Sequence, residues 1–396
     1  MDWSQVIGQE RSVRALRRAV AGGRVAHAYL FHGPHGTGKR AAALAFAQAL
    51  QCEERGPGSG DGRPCGACPA CQKMRRGVHP DMHVLFPHPK GTSEEDRAER
   101  KELLSQNPYA EISYARRPSL SDPSDTSNKQ ALYSVDRVHE ELLRPMSLKP
   151  LEGRYKVALL TEAEQMHPKA ANAFLKLLEE PPPQTAFVLT TAHPDRLLPT
   201  ITSRCQRLRF SSLGPEALAG ALARREDLGD ERAQMLARMA DGSYTRALDL
   251  ATSNELLEHR ELVLDFFRQA YTQDATRLAE LSEEIRRLGR ERVKGLMDLM
   301  LRWVRDLLLV RSLGREEAPL VNVDQAEAAA RFCENLPQAD LGAMTELIEE
   351  ARRLVGRNVN LSLLLTALAQ ALGHAMQGRS ARLYVPLPEA GLPNAA

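Results

Sequence analysis

The run Gly33-Pro34-His35-Gly36-Thr37-Gly38-Lys39 narrows the folding options of this chain more than any other feature. It follows the apolar stretch 28–32 and opens the alanine-rich stretch 40–50, which reads as a strand feeding a helix through a glycine-rich turn. In that context backbone N–H groups and a helix N-terminus can cradle phosphate; the plainer reading is a turn that only joins strand to helix. A complete phosphate loop of this kind has Ser or Thr after its lysine to hold Mg²⁺, whereas Arg40 stands here. The next apolar strand, Val157-Ala158-Leu159-Leu160, should end on a metal-binding Asp, but it runs into Thr161-Glu162. Both losses fall on the metal. The loop keeps the means to accept an anion, hydrolysis of Mg-ATP is not expected, and Glu162 remains as a base with nothing to activate.

Helix and strand patterns alternate around this unit. Residues 9–21, 134–144 and 168–178 read as helices and 157–160 and 186–190 as strands, with Pro168 suiting a first helical turn and Pro181 to Pro183 ending that helix. Strands separated by helices of this length imply a parallel sheet covered on both faces, so the N-terminal part is read as α/β. Residues 88–130, dense in charge, Ser and Pro, are expected to form a mobile insertion outside the core. Beyond Phe210 amphipathic helices follow one another to about 377. Val293, Leu296, Met297, Met300, Val304, Leu307 and Leu308 make one apolar stripe there, read as core or subunit interface.

Four of the six cysteines crowd together as Cys52 and Cys65-x-x-Cys68-x-x-Cys71, while Cys205 and Cys333 stand alone. Four thiolates fill a closed tetrahedral Zn²⁺ shell and leave no catalytic position open, so a structural zinc is expected, without His79 and His83 nearby. The balance of 53 Lys plus Arg against 51 Asp plus Glu carries no global signature of a polyanion binder. Arg11, Arg14, Arg17, Arg18 and Arg24 make the first helix basic, either a DNA-steering face or a solvated one. With no membrane-length apolar run and no signal-peptide core in MDWSQVIGQERS, a cytoplasmic protein is expected.

The order of motifs resembles the clamp-loader branch of the AAA+ ATPases. The matching residues are Val6-Ile7-Gly8-Gln9, the loop 33–39, the cysteine cluster, Ser134-Val135-Asp136, Asn172-Ala173-Phe174-Leu175-Lys176-Leu177-Leu178-Glu179-Glu180-Pro181 and Ser203-Arg204-Cys205. Asn358-Val359-Asn360 resembles the end of the family's last domain. The resemblance implies an α/β P-loop AAA+ domain over 1–210 with a zinc module inserted at about 50–75. A small helical lid domain over 211–255, an all-α C-terminal collar domain over 256–377 and a tail over 378–396 would follow. It also implies that Arg204 is a trans-acting arginine finger. Degenerate nucleotide contacts fall on Gly33, Gly36, Gly38, Lys39, the sensor 1 position at Thr190 and Thr191, and a sensor 2 residue at Arg246. ATP or another nucleotide is then bound weakly or not at all.

On spacing alone Arg204 reads first as a helix cap or the partner of a carboxylate, while Thr191 is equally a strand end and Arg246 a solvated helix residue. Arg40 and Thr161 set the chain with the degenerate rather than the motor subunits of that family, as does a length too short for the long C-terminal extension of some motors. The implied partners are gamma/tau and delta subunits and, through the assembled hetero-oligomer, a sliding clamp and primed DNA, with no membrane. Such a chain belongs to a polymerase holoenzyme by association and has no polymerase site. The rival readings are a motor ATPase of the same complex and a zinc-stabilised adaptor.

Overall fold

In the computed structural model, which describes residues 2–58, 60–122, 130–252, 255–318, 320–322, 325–357 and 359–383, the apolar runs of the first half become one sheet. Its strands are β1 (Ala28–His32), β2 (Met82–Leu85), β3 (Lys156–Leu160), β4 (Thr185–Thr191) and β5 (Gln206–Arg209). They pair in the order β2-β3-β4-β1-β5, every pairing parallel. Successive side chains point to opposite faces, so Tyr29, Phe31, Val157, Leu159, Ala186 and Val188 enter one core. Ala28, Leu30, Ala158, Leu160, Phe187 and Leu189 enter the other. Burial on both sides explains why the central strands read as unbroken apolar runs.

Helices α1 (Glu10–Ala21), α2 (Lys39–Gln51), α3 (Pro69–Arg75) and α4 (Glu94–Gln106) supply the first core, through Leu16, Phe46, Met74 and Leu104 among others. The second face is covered by α5 (Val135–Arg137), a π-helical stretch Val138–Leu143, α6 (Arg144–Met146), α7 (Pro168–Glu179) and α8 (Pro199–Thr202). After β5 come α9 (Pro215–Arg225), α10 (Asp230–Met239) and α11 (Tyr244–Thr252). The Gln9 amide donates to the carbonyls of Thr37 (3.1 Å) and Ser211 (2.7 Å), tying the start of α1 to the loop and to the chain leaving β5.

Residues 88–122 correct the expectation of an insertion outside the core. They contain α4, and Leu104, Ile112 and Tyr114 belong to the core of the sheet. The charges that argued for solvation serve the helix: Ser93 caps it by accepting from the Asp96 N–H (3.1 Å), and Glu94, Glu95 and Asp96 occupy its positive end. Residues 123–129 lie outside the described part.

The chain divides into two compact units, Met1–Ala251 and Thr252–Ala396. The second consists of α12 (Glu255–Thr272), α13 (Ala275–Arg287), α14 (Arg290–Leu313), α15 (Ala326–Asn335), α16 (Leu341–Val355) and α17 (Leu361–Met376) around their own core. The apolar stripe of α14 enters that core except at Leu308, which is 41% exposed. Asn360 caps α17 by accepting from the Ser362 and Leu363 N–H groups, while Asn358 lies outside the described residues. Among the described residues no helix is long and apolar enough to cross a membrane.

Candidate functional site

The glycine-rich loop joins β1 to α2 and needs glycine where the chain is crowded as well as twisted. Gly36 (φ +73°) and Gly38 (φ +96°) both lie in the left-handed region. A Cβ on Gly36 would stand 2.0 Å from Ser243 Oγ, and one on Gly38 would stand 2.9 Å from the Tyr109 hydroxyl. The Lys39 ammonium turns back onto the loop, donating to the carbonyls of Gly33 (2.6 Å) and Pro34 (2.5 Å). Burial first, then neighbouring Arg40, pulls it down to about 7.

Pro108, Tyr109, Ala115 and Arg116 of the segment 108–116 line the space beside the loop. The cleft there, lined by Gly36, Lys39, Tyr109, Arg116, Glu162 and Thr191 among others, retains about 130 Å³. Ligand pockets for molecules of drug or nucleotide size run to roughly 300–1,000 Å³. The residues present therefore do not fit Mg-ATP: the room is small, Arg40 stands at one metal-ligand position and Thr161 at the other. Arg40 is instead half-buried against the segment and donates to the Ala110 carbonyl (2.6 Å).

Three side chains of that segment bond to the surroundings of the loop. The buried Tyr109 hydroxyl accepts from the Ile7 N–H (3.0 Å) and donates to the Gln5 carbonyl (3.2 Å), and its ring meets Tyr244 edge-on at 4.8 Å. Glu111 accepts from Arg116 Nε (2.8 Å), lies 3.2 Å from His35 Nε2 and takes the Ser113 N–H (3.0 Å). Burial opposes its charge, but Arg116, His35 and Arg40 outweigh burial and hold its carboxyl at about 2. Burial depresses His35 to about 3 against the pull of Glu111. Arg116 reaches on to Glu162 Oε1 (2.6 Å), whose other oxygen accepts from Ser113 Oγ (3.1 Å). Glu162 holds a left-handed φ of +48°, a strained geometry for a side-chain-bearing residue.

Of the residues singled out in the sequence, Gly36, Gly38, Lys39, Thr190 and Thr191 line this cleft. Thr191 ends β4, where its hydroxyl accepts from the His193 N–H (2.9 Å) and its carbonyl from the Gly33 N–H (3.2 Å). Gly33 and Arg246 are not among the lining residues; Arg246 follows Thr245, which is. Arg204 lies apart, just beyond α8, with its guanidinium donating to Glu179 (2.8 Å) and to the Thr200 carbonyl (3.0 Å) while staying about a third exposed. Arg11, Arg14, Arg18 and Arg24 are exposed, whereas Arg17 pairs with Asp61 at 2.8 Å. Tyr109, Glu111 and Arg116 were not legible as site residues, although Tyr109, Ile112 and Tyr114 form an apolar island in a charged stretch.

The cysteines converge as their spacing required. Cys52 follows α2, Cys68 precedes α3, Cys71 lies in the first turn of α3, and the four sulfurs all lie within 4.8 Å of one another. A tetrahedral zinc with Zn–S bonds of about 2.3 Å sets sulfurs about 3.8 Å apart, so the donor set fits zinc. Cys52 Sγ accepts from the Arg55 and Cys65 N–H groups and Cys65 Sγ from that of Cys68, each at 3.3 Å, bonds that favour thiolates. His79 and His83 are not in the cluster; they line a separate cavity of about 510 Å³.

A family model described as DNA polymerase III, delta subunit, matches residues 8–214, and one described as the C-terminal part of that subunit matches residues 254–372. The chain is 28% identical over 366 residues to DNA polymerase III subunit delta' of Bacillus subtilis, covering 92% of this chain and 96% of the relative. It is 25% identical to subunit tau of the same organism, over 89% of this chain and 58% of that protein. With subunit tau of Escherichia coli it shares 32% identity, over 63% of this chain and 32% of that protein.

Proposed function

The chain belongs to the DNA polymerase III delta-subunit family, and from that premise we propose that it works as a delta-prime-like stator of the clamp loader, donating Arg204 to the ATP site of a neighbouring subunit. In this reading it hydrolyses no ATP itself. Gamma/tau subunits supply the hydrolysis, delta completes the hetero-oligomer, and the assembly opens a sliding clamp and sets it on primed DNA. Helices α9–α11 act as a lid domain and α12–α17 as a collar domain, with the zinc as a structural staple in the first domain.

The observation that carries the reading is one of contrast: the small cleft at the chain's own phosphate loop is lined from within, while Arg204 stands outside that cleft with a partly exposed guanidinium. Its partner Glu179 is itself half-exposed, so the 2.8 Å pair is a surface one that contributes little and yields easily to a phosphate. A guanidinium brought to the γ-phosphate next door neutralises charge developing during transfer, and loss of such a finger costs about 10³-fold or more in rate.

Clamp loading and ATP turnover by the complex reconstituted with Arg204→Ala test this. Turnover that appears only in the mixture and falls by about 10³-fold in the variant is expected. Loading indifferent to the substitution overturns the finger role, and turnover by the purified chain alone makes it a motor.

A further inference from the structure

A degenerate phosphate loop usually reads as a site left to decay. Here Arg40, which stands at one lost metal-ligand position, and Glu162, beside the other, are both joined to the segment that lines the cleft. Arg40 replaces a hydroxyl that would hold Mg²⁺, and its guanidinium holds the Ala110 carbonyl at 2.6 Å. Glu162, one residue past the missing Asp, receives Arg116 at 2.6 Å. We propose that the segment 107–117 is an internal ligand of the chain's own nucleotide cleft, shutting out nucleoside triphosphates and tying the phosphate loop to the N-terminal segment and to helix α11.

The segment offers a chemical counterpart for each part of a metal–nucleotide complex. Tyr109 brings a flat aromatic ring whose polar edge meets one backbone N–H, of Ile7, and one backbone carbonyl, of Gln5, the donor–acceptor pairing a purine edge makes. The ring also abuts Tyr244 at 4.8 Å, and the Tyr109 carbonyl accepts from Thr245 Oγ1 (2.7 Å) on the same helix. Glu111 places a buried carboxylate against His35 of the loop, standing in for phosphate charge. Arg116, itself 43% exposed, places a cation against Glu162, on the side where a metal ion would be held. Tyr244 N–H reaches the Gly36 carbonyl (3.0 Å), so loop, segment and α11 close into one bonded circuit.

The inference rests on reading 33–39 as a phosphate loop, and it can fail while the Arg204 reading stands, because it is tested on the isolated full-length chain. A cleft open in only about one molecule in a hundred binds about a hundredfold more weakly than the same cleft held open. Binding of a fluorescent ATP analogue is therefore measured for the wild type, for Tyr109→Ala and for Tyr109→Ala combined with Lys39→Ala. The expected result is a gain of at least about tenfold in Tyr109→Ala that disappears with Lys39→Ala. Equal binding by the wild type and Tyr109→Ala overturns the proposal, and so does a gain that survives Lys39→Ala, since the nucleotide would then sit elsewhere. Tyr109→Phe, which keeps the ring and with it the fold, supplies a second readout. The Ile7 amide should exchange its hydrogen faster in that variant, and an unchanged rate there equally overturns the proposal.

Discussion

Arg100 carries the clearest lesson at the scale of single residues. It is fully buried, donates to the carbonyls of Ile112, Arg117 and Pro118, each at 3.0 Å, and lies 3.7 Å over the ring of Tyr114. One guanidinium thus fixes the course of the chain just after Tyr109 and Glu111, with Asp96 at 3.4 Å balancing its charge. Arg100→Met keeps the volume but leaves those carbonyls unpaired, and should cost about 3 kcal/mol or more of stability. Urea unfolding reads this directly; an unmoved midpoint would mean that the carbonyls find other donors. In the sequence, Arg100 sits within Glu99-Arg100-Lys101-Glu102 and cannot be told from a solvated charge, because burial of an arginine is decided by distant carbonyls. The same holds for Glu111, which is buried as well. The glycines and cysteines were legible because their chemistry is local: a positive φ admits few residues, and thiolates spaced two apart share one metal.

At the scale of elements, the central strands and the long helices were readable from their periods, and the two edge strands were not. β2 spans four residues, and β5 is Gln206-Arg207-Leu208-Arg209, with three of its four side chains exposed. Edge strands are kept short, and β5 is charged as well, which discourages further pairing and erases the pattern by which strands are recognised. The zinc module was legible because its constraint is covalent in kind. It holds together α2, α3 and a glycine-rich excursion, to which Trp3 Nε1 donates at the Gly62 carbonyl (2.8 Å). Without metal, four thiols crowd a small apolar cluster at the base of the loop. Metal analysis should give one zinc per chain, and Cys68→Ala or chelation should lower the stability of the first unit by at least about 3 kcal/mol. Trp3 fluorescence should report the loosened loop, and a metal-free protein with an unchanged transition would refute a structural zinc.

At the scale of the whole molecule, the division into two units makes a prediction about independence. Among the described residues, the buried core of the second unit is drawn from Val263 to Met376. Its helices carry their own start signals, Asp274 accepting from the N–H groups of Thr276 and Arg277, and Asp340 from that of Ala343. A stretch of about 145 residues is large enough to bury a self-sufficient core. Residues 252–396 produced alone should therefore fold as a helical domain that unfolds cooperatively. The two tryptophans fall one in each unit, so Trp303 alone reports on this fragment. Its transition should be indifferent to zinc chelation, whereas the full-length chain should lose stability only in the transition that Trp3 follows. Leu368→Ala, at a fully buried site of α17, should destabilise the fragment by about 2–5 kcal/mol and leave zinc content unaltered. A fragment that stays unfolded, or melts without cooperativity, would show instead that the helical unit borrows its stability from the sheet.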